Sequence, residues 1–522
     1  MNSTASAGSL GSDAIAGSKL VLALEWIQAN TSFWSVMLTL IIGIVVYDQV
    51  NYLIKKGSIV GPTFKIWPIM GPFLESVDPK FEEYYNKWMS GPLSCVSVFH
   101  KFVVIASTRD LARKILTSPA YVKPCVVDVA IKILRPTNWV FLDGKAHLDY
   151  RKGLNNLFTR KSLGIYLPHQ ENIYDQYFDR FVNVSKNGPI PFMHEFREIN
   201  CAVSLRTFCG TYITEDQVRI IADNYYKITA ALELVNFPIV LPFTKTWYGK
   251  KCADMTMDIF AKCAAMSKKA MAEKKEVTCT MDAWIKAMND SRDEAEANGT
   301  KRSIREFTNK EISETIFTFL FASQDASSSA TTWLFQLVAD NPDVLEKIRA
   351  EQLAVRGGDP TKRITLDMVD EMHYTNMVVK ECLRLRPPVL MVPYVAKKDY
   401  PISEDYTVPK GAMVIPTLYP SLHDPEVYDQ PEEFIPERWE EGTTASKGHK
   451  NWLVFGTGPH VCLGQKYAVM HFMTMIGKAS LELEWSHTIT DLSEKIKVFA
   501  TIFPQDDCIL QFKRRDLHAV AA

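Results

Sequence analysis

The chain has 522 residues, 47% of them hydrophobic and 23% charged, and Lys+Arg 59 against Asp+Glu 60 leaves a net charge of −1. That composition supports a large buried core and excludes disorder as the default, and the near neutrality excludes a global basic field of the kind that gathers nucleic acid. The ten cysteines are scattered without a CxxC pair or a Cys/His cluster at zinc spacing, which excludes a disulfide framework or a structural zinc and fits a reducing compartment.

The first predicted element is a membrane anchor. Residues 27–47 carry no charge, and FWSVMLTLIIGIVVY (33–47) is almost wholly apolar. This core is shorter than the ~20 residues that span a bilayer, but polar neighbours extend it and Trp34 and Tyr47 suit the two interfaces. Lys55, Lys56 and Lys65 follow the run, whereas upstream Lys19 is offset by Asp13 and Glu25, so the positive-inside rule leaves the body in the cytosol. Residues 1–26 then form a lumenal segment and residues 27–48 the span, with sequons at Asn2 and, at the start of the span, Asn30 on the far side. Residues 49–72 form a linker and stiff hinge built on GPTFKIWPIMGP, and residues 73–522 the catalytic body.

In the body, SCVSVFHKFVVIAS (94–107) reads as β-branched strands, while most of 145–350 has helical periodicity, giving a mostly α architecture with small β-sheets. The charge-rich stretch 268–306 reads as solvated helix ends and a loop, and 440–450 as a second surface loop. A long helix opens at the capping box Thr308-x-x-Glu311 and stops before Pro342. At ~1.5 Å per residue it spans roughly 45 Å, the length of a central beam. Inside it, FTFLFASQDASSSATTWLF (317–335) sets one acid, Asp325, and three consecutive serines in an apolar pattern, where a charge is most expensive to bury.

Further on, ECLRLRPP places Glu381 and Arg384 three apart on one helical face, ended by Pro387 and Pro388, and PERW supplies Arg438. Then comes FGTGPHVCLGQKYA (455–468), in which Gly456, Gly458 and Gly464 crowd a lone Cys462. So many glycines imply unusual backbone angles and close approach to something flat or bulky. A helix starts just beyond the cysteine, and its amino terminus would favour a thiolate able to ligate a soft or intermediate metal.

The spacing Phe-x-x-Gly-x-His-x-Cys-x-Gly resembles the haem-binding loop of the cytochrome P450 family, and the resemblance covers essentially the whole chain. It implies the cytochrome P450 fold preceded by one N-terminal transmembrane helix, and haem b held by Cys462 as axial ligand of the iron. Phe455 would shield the sulfur, Gly458 and Gly464 would shape the loop, and His460, where the family usually has Arg, would donate to a propionate. DGKAHLDYRKGLNNLF (143–158) carries Arg151, and His147 in place of the family's Trp, on the helix that meets the propionates. Tyr394 stands where many relatives have a propionate-binding Arg. Glu381, Arg384 and Arg438 would form a buried network holding the Cys462 loop.

In this family the helix over the oxygen-binding face reads roughly Ala/Gly-Gly-x-Asp/Glu-Thr-Thr/Ser. Here Ala322, Ser323, Gln324, Asp325, Ala326 and Ser327 depart from it with Ser for Gly and Ala for Thr, but keep the acid. Reducing bound oxygen needs two protons in a site that otherwise excludes water, so Asp325 is the relay candidate, with Ser327 replacing the missing hydroxyl.

The run FASQDASSSATTW, with NFPIVLPFTKTWYGKK (236–251) and RPPVLMVPYVAKK (386–398), is similar to sterol 22-desaturases of the ergosterol pathway. The resemblance implies introduction of the C22–C23 double bond into a sterol that enters near FPIVLPF, with O2 as co-substrate. Ala322, Ala326, Val389, Leu390, Met391, Val392, Thr501, Ile502 and Phe503 would line the cavity. The sequence has neither a Walker motif nor GxGxxG, so electrons are expected from a separate NADPH-dependent, flavin-carrying cytochrome P450 reductase in the endoplasmic reticulum membrane, docking near Cys462 by Lys447, Lys450 and Lys466. The competing readings are another sterol hydroxylase or 14-demethylase of the family, a haem-thiolate isomerase or dehydratase needing no reductase, and a non-catalytic haem- or sterol-binding protein.

Overall fold

The computed structural model describes residues 26, 32–65, 67, 69–72, 79–99, 101–125, 128–231 and 240–517. Asn2 and the rest of the expected lumenal segment apart from Trp26 lie outside them, as do Asn30 and residues 232–239 of the expected sterol entry.

Helix α1, Phe33–Lys56, opens with the Ser32 side chain accepting from the Ser35 amide, and Gly57 at φ 53° ends it. Its apolar stretch is long enough to cross a membrane, and none of that stretch is buried against the protein. The helix continues through residues 49–56, which the sequence reads as linker, because Tyr52 on its last turns is buried in the body.

The strand pattern at 94–107 becomes β1 (Leu93–Val98) and β2 (Lys101–Ala106), an antiparallel hairpin. It joins β3 (Val122–Pro124), β4 (Tyr394–Ala396) and β5 (Met413–Pro416) in a sheet of order β1-β2-β5-β4-β3, with β2 and β5 parallel. This sheet and α1's foot share the smaller core around Tyr52, Phe102, Val104 and Val414.

The larger core is helical. The helices that matter for the site are α2 (Gly144–Asn155), α3 (Met193–Cys209), α4 (Glu215–Ala230), α5 (Asn309–Asp340), α6 (His373–Leu385) and α7 (Gln465–Glu482). The beam α5 has the capping box at Thr308 and Glu311 and ends before Pro342, as its sequence requires. It is buried on almost every side, because α3, the helix Lys245–Ala272, α6 and α7 surround it. A hairpin of β6 (Ile496–Phe499) and β7 (Thr501–Pro504) turns tightly at Ala500 and packs on α5.

The stretch 268–306 differs from its reading as loop and solvated ends. About half of it is the helix Thr280–Asn298, whose Met281, Trp284, Ile285 and Met288 are buried at helical spacing. Its charges other than buried Asp282 lie away from that stripe and hide it from a reading by composition.

Candidate functional site

Cys462 stands just ahead of α7 on a loop folded back on itself. Its amide donates to the carbonyl of Phe455 at 3.0 Å, and the Gly456 amide closes the preceding turn onto the Leu453 carbonyl at 2.9 Å. Gly458 needs to be glycine, since at φ 76° an added Cβ would lie 2.5 Å from the Leu116 carbonyl oxygen. The amides of Gly464 and Gln465 are directed at the Cys462 sulfur, and Arg151 adds a positive charge nearby. Burial outweighs these and raises the thiol above its ordinary pKa, and a metal bound to the sulfur would favour the thiolate. Cys462 is nonetheless the one exposed cysteine of the ten, with Cys125 and Cys252 half-buried and the other seven buried.

Arg151 on α2 donates to the Val461 carbonyl at 2.6 Å and the Pro459 carbonyl at 3.3 Å, tying α2 to the cysteine loop. His147, one turn earlier, lies 4.2 Å centroid to centroid from His460 and stacks on Trp139 at 6.1 Å. Burial together with neighbouring cations lowers His147 and pushes His460 down to about 4, so both imidazoles are neutral at physiological pH. Tyr394 is buried in the sheet and supplies no charge. The additional cation at this end is Lys397, whose Nζ lies 2.7 Å from Asp143 at the head of α2. Lys397 had no motif to announce it.

Behind the loop, Glu381 accepts from Arg384 Nε and Nη2 at 2.9 Å, Arg438 Nε at 2.8 Å, the Ile435 amide at 3.1 Å and Trp439 Nε1 at 3.0 Å. The remaining guanidinium donors reach carbonyls of Leu422, Asp429, Gln430, Pro431 and Glu433. Every buried charge is therefore compensated. The connection to the site runs through rings: Trp439 packs on Trp452 at 5.9 Å, and Trp452 on Phe455 at 5.5 Å.

On α5, Ala322 is exposed and Ala326 half-buried, an open face one turn apart on an otherwise buried helix. Asp325 does not share that opening. It is 6% exposed, bound by Arg197 of α3 at 2.5 Å and by the Thr229 hydroxyl of α4 at 3.1 Å. Ser327 is also buried, two positions on, a spacing at which side chains of one helix do not face each other. Two further contacts complete a polar seam between α3 and α5: Ser204 to Ser323 at 3.0 Å and Asn200 to Thr331 at 3.2 Å. Arg197 carries no motif of its own, although Arg197, Asn200 and Ser204 fall on one stripe of α3, which was the available signal.

Of the expected lining, Val389 is exposed and Met391 and Val392 are half-buried. Leu390, Ile502 and Phe503 are buried, the last two on β7 paired with β6. The Ile502 carbonyl accepts from Ser329 at 2.5 Å and Trp333 at 3.2 Å, and Thr501 is buried with its hydroxyl on the Asp325 carbonyl at 3.2 Å. The residues at the hairpin tip, Phe499 and Ala500, are the open ones.

An accessible cysteine with amides aimed at its sulfur, glycines that let the chain come close, and a cluster of Arg151, Lys397, His147 and His460 make a donor set that fits an iron porphyrin with two carboxylates. The family model for cytochrome P450 matches residues 61–497. The C-22 sterol desaturase of Saccharomyces cerevisiae is 66% identical over 490 residues, covering 93% of this chain and 91% of that one. The C-22 sterol desaturase of Candida albicans is 64% identical over 491 residues, covering 94% of each. In fold, the chain is similar to retinoic acid bound cyanobacterial CYP120A1, with a TM-score of 0.73 at 20% identity over 84% of this chain and 96% of that one.

Proposed function

The chain belongs to the cytochrome P450 family, and from that premise we propose that it is a sterol C-22 desaturase of ergosterol biosynthesis. One hydrogen leaves each of C-22 and C-23, and O2 accepts these two hydrogens with two further electrons and two protons, giving the double bond and two waters. The observation that carries the sterol assignment is the likeness to two C-22 sterol desaturases along more than nine-tenths of the chain.

Haem b, when bound, supplies the activation of O2. The chain's part is to hold it and to place the substrate. Cys462 would ligate the iron, with Phe455, Gly458 and Gly464 shaping the approach, and Arg151, His147, His460 and Lys397 would hold the two carboxylates. Ala322, Ala326, Val389, Met391 and Val392 would present small and apolar surface to the sterol side chain. Desaturation rather than hydroxylation needs both carbons placed at once, which such surface serves by positioning. Asp325 holds its carboxylate on Arg197, so delivering a proton requires the carboxylate to turn from that partner before the Ser327 hydroxyl can take part.

The electrons would come from a separate NADPH-dependent flavoprotein reductase. Exposed Lys447, Lys450 and Lys466 near the Cys462 loop support docking of its acidic surface there. The reading places α1 as a single pass in the endoplasmic reticulum membrane with the catalytic domain, residues 73–522, in the cytosol.

Reconstitution of the full chain with such a reductase, NADPH and an ergosta-type sterol lacking the 22-double bond tests this. The 22-ene is the expected product. Turnover without NADPH, or accumulation of 14-methyl sterols in cells lacking the chain, would overturn it.

A further inference from the structure

The foot of α1 is held in an unusual way. Asp48 should end the apolar run, yet its carboxylate faces Lys65, whose Nζ lies 2.9 Å from Oδ1 and 3.1 Å from Oδ2. The Lys65 ammonium also donates to the carbonyls of Phe99 at 2.7 Å and Ile69 at 3.3 Å, and its side chain is almost wholly enclosed. Asp48 Oδ2 in turn accepts from the Ile69 amide at 2.9 Å. Next to it, Gln49 exchanges two hydrogen bonds with the backbone of Lys65, at 2.9 and 3.2 Å. The charge pair is closed on itself and on the chain, so it places no open charge at this level of the helix.

Three more contacts fix the same joint. The Tyr52 hydroxyl donates to the Pro62 carbonyl at 2.7 Å, and the Tyr406 hydroxyl from the body donates to the Lys55 carbonyl at 2.7 Å, one of the carbonyls a helix end leaves unpaired. Val60 pairs with β1, its carbonyl accepting from the Cys95 amide at 2.7 Å. Gly71 runs so close to β1 that an added Cβ would lie 1.8 Å from the Ser97 carbonyl oxygen.

With Asp48 neutralised, the outward apolar face of α1 continues through Val50, Leu53 and Ile54 to Lys55 and Lys56. Phe33 to Ile54 then measures about 33 Å at ~1.5 Å per residue, close to the ~30 Å hydrocarbon thickness. The last two turns of that length lie beside Phe64 and Trp67, 61% and 62% exposed, and beside exposed Ile69 and Met70. Such large apolar and aromatic side chains, continuous with a span, suit the boundary between acyl chains and headgroups.

We infer that the Asp48–Lys65 ion pair is a fixed joint between the membrane helix and the catalytic body, seating the body on the lipid bilayer in one orientation with Phe64, Trp67, Ile69 and Met70 inserted at its surface. The inference rests on reading α1 as a membrane span.

The test uses the full-length holoprotein in vesicles of phosphatidylcholine, with and without bromine on the acyl chains. Fluorescence quenching by the brominated lipid is compared between the wild type and Trp67→Phe, which isolates the signal of Trp67. Quenching of Trp67 is expected in the wild type, with at least a twofold loss in Asp48→Asn, while the carbon-monoxide spectrum is unchanged. Where Asp48→Asn does not fold, Asp48→Leu/Lys65→Met, which leaves no buried charge, is measured instead. Quenching that is absent in the wild type, or that survives loss of the pair, overturns the joint. Failure of the chain to float with the vesicles at all would instead overturn the membrane reading beneath it.

Discussion

Arg197 Nη1 lies 2.5 Å from Asp325 Oδ1 across 128 positions of sequence, and Thr229 donates to the other carboxylate oxygen at 3.1 Å. The acid that stands out in α5 is therefore part of an ion pair joining three helices. Replacing Asp325 by Asn should keep haem bound, as read by the carbon-monoxide spectrum, but slow desaturation by about 10²-fold or more, the scale of a lost acid–base group. It should also enlarge the solvent deuterium isotope effect. Arg197→Leu leaves a buried carboxylate without its counter-charge and should cost about 3–5 kcal/mol of stability in urea unfolding. An Asp325→Asn enzyme at full speed would remove the acid from proton delivery.

What the sequence made legible was local. The Cys462 loop and the Glu381, Arg384 and PERW cluster are short runs whose residue types and spacing state their geometry, and the long helix announced both ends through Thr308, Glu311 and Pro342. What it hid was pairing at a distance. Arg197 looks like any arginine until α3 is laid on α5, and Asp48 reads as the end of a span until Lys65, 17 positions later, closes on it. The charges of 280–298 concealed a buried stripe because a window average mixes the two faces of one helix. The burial of both Ile502 and Phe503, on opposite faces of β7, comes from packing on each side of the strand, which no local residue pattern announces.

The Glu381 network should fail unequally according to which member is removed. Glu381→Gln leaves the buried Arg384 and Arg438 without a counter-charge, a loss of about 3–5 kcal/mol, and should yield little haem-loaded protein. Trp439→Phe removes one bond to the carboxylate, about 1.5–3 kcal/mol, and loosens the ring contact toward Phe455. Its holoenzyme should form but release haem at lower urea than the wild type. Equal haem retention in Trp439→Phe and wild type would show that the ring path does not support the loop.

Two glycines of the cysteine loop give a sharper contrast. Gly456 and Gly458 both have positive φ, 68° and 76°, but a Cβ at Gly456 meets nothing within 4 Å, whereas at Gly458 it meets the Leu116 carbonyl oxygen at 2.5 Å. Gly456→Ala should cost only the backbone strain at φ 68° and ψ −166°, about 1–3 kcal/mol, and keep the carbon-monoxide spectrum. Gly458→Ala has to move the loop as well, and should lose most of its haem. Indistinguishable spectra from the two variants would contradict the packing of Gly458 against Leu116.

Stability should also depend on pH through His471 of α7, which burial pushes down to about 3. Its Nε2 faces the Asn200 carbonyl oxygen at 2.8 Å and its Nδ1 the Tyr174 hydroxyl at 2.7 Å. Asn200 Oδ1 can only accept, so the hydrogen sits on Nε2, and Tyr174 donates to Nδ1. The unfolded imidazole titrates near 6.5. Between about pH 6.5 and 3 the unfolded chain therefore binds a proton that the folded chain refuses, so this contribution is complete above pH 6.5 and is lost as the pH falls toward 3. His471→Gln keeps one donor and one acceptor without the titration. Relative to wild type, its stability between pH 6 and 4 should fall less steeply, by about 1.4 kcal/mol per pH unit, in urea unfolding of the holoenzyme. Because Asn200 also donates to Thr331 on α5 at 3.2 Å, charging His471 disturbs the polar seam that aligns α3 with the helix carrying Asp325. Parallel pH curves for the two proteins would mean that the ring already carries its proton in the folded state.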